Sequence, residues 1–270
     1  MNLSTRFKPR HSARIVALTA LVFFTGIRTH AQTIVLGTAS NFTVIGGASI
    51  TNTGLTVISG ASGGIAGTGT ITGFPPGIVT GGSIHVNDAA AIQAKADATT
   101  AYNQLVALTF TSDLTGQNLA GLNLQPGVFK YNDAAAFTSG VLTLDGMNQA
   151  NPLFVFQIGS TLTSSGTVSF NFINGATANN LWFQVGSSAT LGSGASFAGT
   201  IIASASDTLD TGASLNGRVF ALTGTVTLNA NQITAPSAIP EPSTYAAIVA
   251  GLALMFAAGR RAHAAKRRAA

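Results

Sequence analysis

The chain has 270 residues, no cysteine and a formal net charge of +5, with only 8% charged residues. Ten of its thirteen cations lie at the two ends, Arg6 to Arg28 and Arg260 to Arg268, leaving Lys95, Lys130 and Arg218 against seven acids in the body. So few cations cannot neutralise a run of phosphates, which excludes nucleic acid as a partner. The missing cysteines exclude disulfides, thiolate metal sites and a cysteine nucleophile.

The elements are taken in chain order. Residues 1–31 read as a secretory signal peptide. A basic stretch (1–14) precedes the apolar "IVALTALVFFTGI" (15–27), which is too short to anchor in a bilayer. "THA" (29–31) then puts Ala31 at the cleavage point. The body spans 32–235. Within it, "VNDAAAIQAKADATTAYNQLVAL" (86–108) has no glycine and predicts a helix over about 87–108. Asn87 or Asp88 caps it. Ala89, Ile92, Ala96, Tyr102 and Val106 fall near one face, which must be buried.

The rest of the body repeats. Phe156-Gln157-Ile158-Gly159-Ser160 returns as Phe183-Gln184-Val185-Gly186-Ser187. A Thr-Leu pair recurs at 143, 161, 190, 208 and 227, at intervals of 18, 29, 18 and 19 residues. Short β-rich runs at a step near 20 residues, punctuated by Gly, Asn and Ser, predict a β-solenoid of three strands per coil. A β-sandwich accounts for the strands but not for the fixed step. "LFVFQI" (153–158), "LWFQV" (181–185), "TIIA" (200–203) and "RVFAL" (218–222) are apolar on both faces. Strands of that kind need a cover, and the helix supplies it.

The tail (236–270) holds Pro240-Glu241-Pro242, an apolar stretch over 245–259 and a basic end, "RRAHAAKRR". This layout resembles the PEP-CTERM sorting signal. The resemblance implies an exosortase-type processing protease as a partner. It also implies transient anchoring in the inner membrane through 245–259, with the basic end held inside, before the protein reaches the cell surface or the exterior. A plain membrane anchor is the other reading.

"LGTASNFTVIGGASITNTG" (36–54), "ITGFPPGIVTGGSIH" (71–85), "LQPGVF" (124–129), "INGATANNLWFQVGSSATLG" (173–192) and "NGRVFA" (216–221) together resemble the bacterial and fungal ice-binding protein family. The resemblance covers essentially all of 34–234. It implies an all-β, right-handed, irregular three-sided β-helix with non-sequential coils and one α-helix along a side. At 58–70 this chain reads "ISGASGGIAGTGT", a departure that predicts looser or differently capped first coils.

Function follows from the outer surface. In each Thr-Leu pair, alternation sends Leu inward and Thr outward. Stacking then aligns Thr143, Thr161, Thr190, Thr208 and Thr227, with Thr163 two residues on beside Asp145, Gly192, Asp210 and Asn229. Threonine offers a hydroxyl and a methyl on a stiff stem, and a flat grid of them is suited to an ice surface. A face bearing Thr167, Ser196 and Ser214 is the rival, and T-[AG]-x-[TN] matches begin at Thr38, Thr115 and Thr177.

An enzyme is not expected, because carboxylates and cations do not cluster. His85 reads as a structural hydrogen-bonder. Asp207 and Asp210 fall short of a calcium cage, so no metal or cofactor is expected. The alternative function is a structural or adhesive part of an extracellular polysaccharide matrix.

Overall fold

The structure, a computed structural model, describes residues 34–60 and 63–236. The expected signal peptide with Ala31 and the apolar stretch 245–259 with Pro240, Glu241 and Pro242 lie outside those residues. Among the described residues no helix is long and apolar enough to cross a membrane.

A 3-10 turn (Gly37–Asn41) leads into β1 (Phe42–Gly46). One full coil follows: β2 (Ser49–Thr53), β3 (Val57–Ser59) and β4 (Gly64–Gly67). The next is β5 (Thr70–Thr72), β6 (Ile78–Val79) and β7 (Ile84–Val86), which ends the stack. The helix α1 (Ala89–Val106) carries the chain back along one side. Winding restarts at the far end with β8 (Ser112–Asp113), β9 (Asn123–Leu124) and β10 (Gly127–Tyr131). It continues through β11 (Ala135–Asp145), β12 (Phe154–Ile158), β13 (Leu162–Ile173) and β14 (Leu181–Val185). Then come β15 (Ala189–Leu191), β16 (Ser196–Ala203), β17 (Asp207–Leu209), β18 (Ser214–Ala221), β19 (Thr225–Asn229) and β20 (Gln232–Thr234).

All pairing is parallel, and the coils stack out of sequence order. The first face runs β5-β2-β19-β17-β15-β13-β11, and the same sheet continues past the bend in β11 to β9. β16 and β18 each turn a corner. Their first halves lie in a row with β20, β3 and β6, and their second halves in a row with β1 and β14. That corner requires glycine: a Cβ on Gly217 would sit 1.8 Å from the Gly199 carbonyl oxygen, and Gly199 itself has φ +98. Within 58–70, expected to be looser or differently capped, β3 is registered on β20 and β4 on β1, while residues 61 and 62 lie outside the described residues.

The interior is mostly apolar, with Ser164 and Asp207 among the few polar side chains buried along it. Phe129, Phe156 and Phe183 stack in successive coils at ring distances of 5.2 and 4.9 Å. Full burial of each such ring stabilises the fold by about 1.5–3 kcal/mol. β11 and β13 run 11 and 12 residues, longer than the later strands, and their second halves pair with each other but not with β16. Phe170 fills the resulting step, edge-on to Phe197 at 5.0 Å and to Phe137 at 5.3 Å.

A second apolar layer lies between α1 and the third face, made of β7, β4, β1, the second halves of β18 and β16, β14, β12 and β10. The helix contributes Ala91, Ala94, Ala98, Ala101 and Leu105, and the strands contribute Ile45, Val155, Trp182, Ile202 and Phe220. This corrects the expected face: Ile92 is 55% and Val106 52% exposed. Alanine lets the helix axis approach the sheet, so the buried stripe is small side chains at spacings of three and four rather than the bulkier ones. Asp88 caps the helix, accepting from the Ala91 amide at 2.9 Å, and His85 Nδ1 lies 2.8 Å from the other carboxylate oxygen. At the C-terminal end, Gln157 Nε2 donates to the Leu105 and Leu108 carbonyls at 2.7 and 2.8 Å. Gln184 Nε2 donates to the Tyr102 hydroxyl at 2.9 Å. The start of the body is clasped to the helix by Asp97, which accepts from Thr38 N and Oγ1, each at 2.7 Å.

Candidate functional site

On the first face the register places one threonine above another through six coils. Thr72 pairs with Thr51, Thr51 with Thr227, Thr227 with Thr208, Thr208 with Thr190 and Thr190 with Thr163. The seventh position is Ala136. Five steps of about 4.8 Å make this row about 24 Å long. Every member is exposed or half-exposed, and among the described residues no hydroxyl of the six is held in a hydrogen bond by the protein.

Two flanking rows share the face. On one side Thr70, Ser49 and Thr225 are registered together, and Ser206, Ser188 and Thr161, each preceding its strand, continue the line. On the other, Thr53 pairs with Asn229 and Thr138 with Ser165, with Asp210 and Gly192 between.

The face is held straight from beneath. Leu228, Leu209 and Leu191 point inward below the row and are essentially fully buried. At the corner, buried Asn231 donates to the Asp210 and Ala213 carbonyls at 2.8 and 3.1 Å and accepts from the Asn229 amide at 2.6 Å. Asn52 does the same work nearer the end, donating to the Gly54 and Gly73 carbonyls at 2.9 and 2.8 Å. Each bond supplies a partner that a buried backbone group would otherwise lack.

Four of the six sequence-predicted residues, Thr163, Thr190, Thr208 and Thr227, share the central row. Thr161 belongs to a flanking row, because β13 pairs Leu162 with Ala189 rather than with Leu191. Thr143 lies on another face altogether. It follows the bend at Ser139 and Gly140 (φ +33 and +153) and pairs with Asn123 and Asn171. Asp145 leaves the face with it. Thr51 and Thr72 complete the row and carry no Thr-Leu pair. Their signal in the sequence is hydroxyls alternating around an isoleucine, "SIT" at 49–51 and "TIT" at 70–72.

The rival face is mixed. Ser196 pairs with Ser214 and Ser214 with Gln232, but the row ends in Val57 and Ile78. It also breaks where β13 and β16 do not pair. Thr38 is engaged with Asp97, Thr115 Oγ1 donates to Asp113 at 2.6 Å, and Thr177 Oγ1 is buried. The body's cations are scattered: Lys130 lies 5.0 Å over the Phe110 ring, and Arg218 is buried with a guanidinium nitrogen 3.4 Å from the Ser40 carbonyl. Asp207 is buried while Asp210 is half-exposed, so these two acids do not converge.

The family model described as Ice-binding-like matches residues 44–234. An ice-binding protein of Nostoc sp. (strain HG1) is 45% identical over 256 residues, covering 90% of this chain and 94% of its own. The crystal structure of an ice-binding protein from the Antarctic ascomycete Antarctomyces psychrotrophicus superposes with a TM-score of 0.71 at 41% identity, over 77% of this chain and 100% of that one. An ice binding protein from an Antarctic biological consortium gives 0.71 at 44% identity, over 77% of this chain and 94% of that one. With its solenoid spanned by the family model and a relative matched over nearly its whole length, the chain belongs to the ice-binding-like family.

Proposed function

We propose that this chain is an exported, non-catalytic ice-binding protein and that it adsorbs to ice through the threonine face. Its relatives are named as ice-binding proteins. The observation that carries the choice of face is the unbroken row of Thr72, Thr51, Thr227, Thr208, Thr190 and Thr163. Threonine is β-branched and stiff at χ1, and its backbone here is fixed by parallel ladders on both sides at every member of the row except the terminal Thr72. Such a row has little side-chain entropy left to lose on binding. Methyl groups limit competing hydration, and hydroxyls unengaged by the protein take places in an ordered water layer. Adsorbed molecules then pin the ice front and block its advance.

Export over the signal peptide 1–31, exosortase-type processing near Pro240, Glu241 and Pro242, and transient membrane anchoring through 245–259 belong to the same proposal and rest on the sequence pattern. Mass spectrometry of the exported protein tests the processing: a terminus near 240–242 supports it, and an intact basic tail opposes it. Ice recrystallisation assays on the purified protein test the function. Inhibition at micromolar concentration supports ice binding; none, together with binding on a polysaccharide array, favours the matrix reading.

A further inference from the structure

We propose that β17 is an acid-dependent joint in the threonine face: protonated Asp207 lets the Thr190, Thr208 and Thr227 row stay in line, and ionised Asp207 loosens it. The consequence for ice adsorption rests on the proposed function above; the joint itself does not.

The geometry is specific. Asp207 immediately precedes Thr208 and points inward, 1% exposed. The same inward position is Ile71, Ile50 and Val226 on one side of it in the stack and Ala189, Leu162 and Ala135 on the other. Among the described residues neither carboxylate oxygen has a hydrogen-bond partner. The Ala189 amide beside it is already donated to the Ser206 carbonyl at 3.0 Å.

Among the described residues a charge so placed has no counterion, and the Ala189 amide, already donated to Ser206, opposes the cost of burial only weakly. The elements packed against β17 are β15, β19 and β18, whose inward residues include Ala189, Leu191, Val226, Leu228, Leu215 and Val219, none of them titratable. On its own coil, Asp210 is half-exposed, and Arg218 reaches outward to the Ser40 carbonyl. Burial therefore pushes the Asp207 carboxyl well above the usual carboxylate range.

The sign follows from linkage. The folded chain holds this proton more tightly than the unfolded chain, so stability is greatest below the ordinary value of 3.8 and declines as pH rises towards the folded value. The strain appears first at β17, a three-residue strand in the middle of the row.

The test uses the exported protein as wild type, Asp207→Asn and Asp207→Val. Thermal unfolding is followed from pH 5 to pH 9, with ice recrystallisation inhibition at both ends. Wild type should lose several degrees of midpoint relative to D207N across that span, while D207V should exceed wild type throughout and keep its ice activity at pH 9. Carboxyl-carbon NMR of the wild type reads the protonation of Asp207 directly, so the idea stays testable if a variant misfolds. A constant difference between wild type and D207N, or an Asp207 carboxylate already ionised at pH 5, overturns the joint. Midpoints that shift as expected with no ice inhibition at any pH leave the joint standing and sink the ice reading instead.

Discussion

The hydroxyls of Ser49 and Thr225 lie 2.7 Å apart although 176 residues separate them. They sit on the line where the coils wound first meet the coils wound last. Along it β2 pairs with β19, β1 with β18 and β3 with β20. The threonine row crosses this line at Thr51 and Thr227, so half-built protein has no continuous face.

That junction should make unfolding cooperative. Ile50 and Val226 are fully buried neighbours on it. Ile50→Ala is expected to cost about 2–5 kcal/mol. Fluorescence of Trp182, the chain's sole tryptophan, should report the same midpoint as circular dichroism. Separate transitions would show that the two runs of coils fold independently.

The alanine stripe of α1 makes a second prediction. Ala98 is fully buried against the third face, whereas Ile92 is 55% exposed. Ala98→Leu should destabilise by about 1–3 kcal/mol through overpacking. Ile92→Lys should change stability by no more than about 0.5 kcal/mol. The reverse ranking in thermal melts would mean that the helix is rotated from its described position.

Asp97 predicts an acid limb of opposite sense to that of Asp207. Hydrogen bonds from the Thr38 hydroxyl, then from its amide, hold the Asp97 carboxyl below its ordinary value of 3.8. A lowered folded value means that the clasp contributes fully above the unfolded value and is lost as pH falls through the folded one. Asp97→Asn should therefore lower the melting midpoint at neutral pH, with the gap to wild type closing in acid. A gap that does not change with pH would assign Asp97 no titrating role.

Much of this architecture is legible from the amino acids. The repeat at 190, 208 and 227 reflects coils of nearly equal length, and equal length fixes register. Strands such as "LFVFQI" are apolar on both sides because α1 covers them. Register fails to show where coils lengthen. β11 passes a corner without ending, so its Thr-Leu pair lands on the next face, and Thr161, just before β13, lands two residues out of line because Leu162 is registered on Ala189. The stripe of alanines was hidden for a different reason: pattern favours bulky apolar residues, while close helix-to-sheet contact favours small ones. Asp207 reads in sequence as a surface acid, because nothing local marks a position whose neighbours in the stack come from other coils.

The most direct measurement compares two bulky substitutions on different faces. Thr208 lies mid-row on the first face, and Thr143 lies on another. Both are outward, so Thr208→Tyr and Thr143→Tyr should melt close to wild type. The threonine-face account predicts that Thr208→Tyr loses nearly all ice recrystallisation inhibition while Thr143→Tyr keeps it. Full activity in Thr208→Tyr, with loss in Thr143→Tyr, would contradict it.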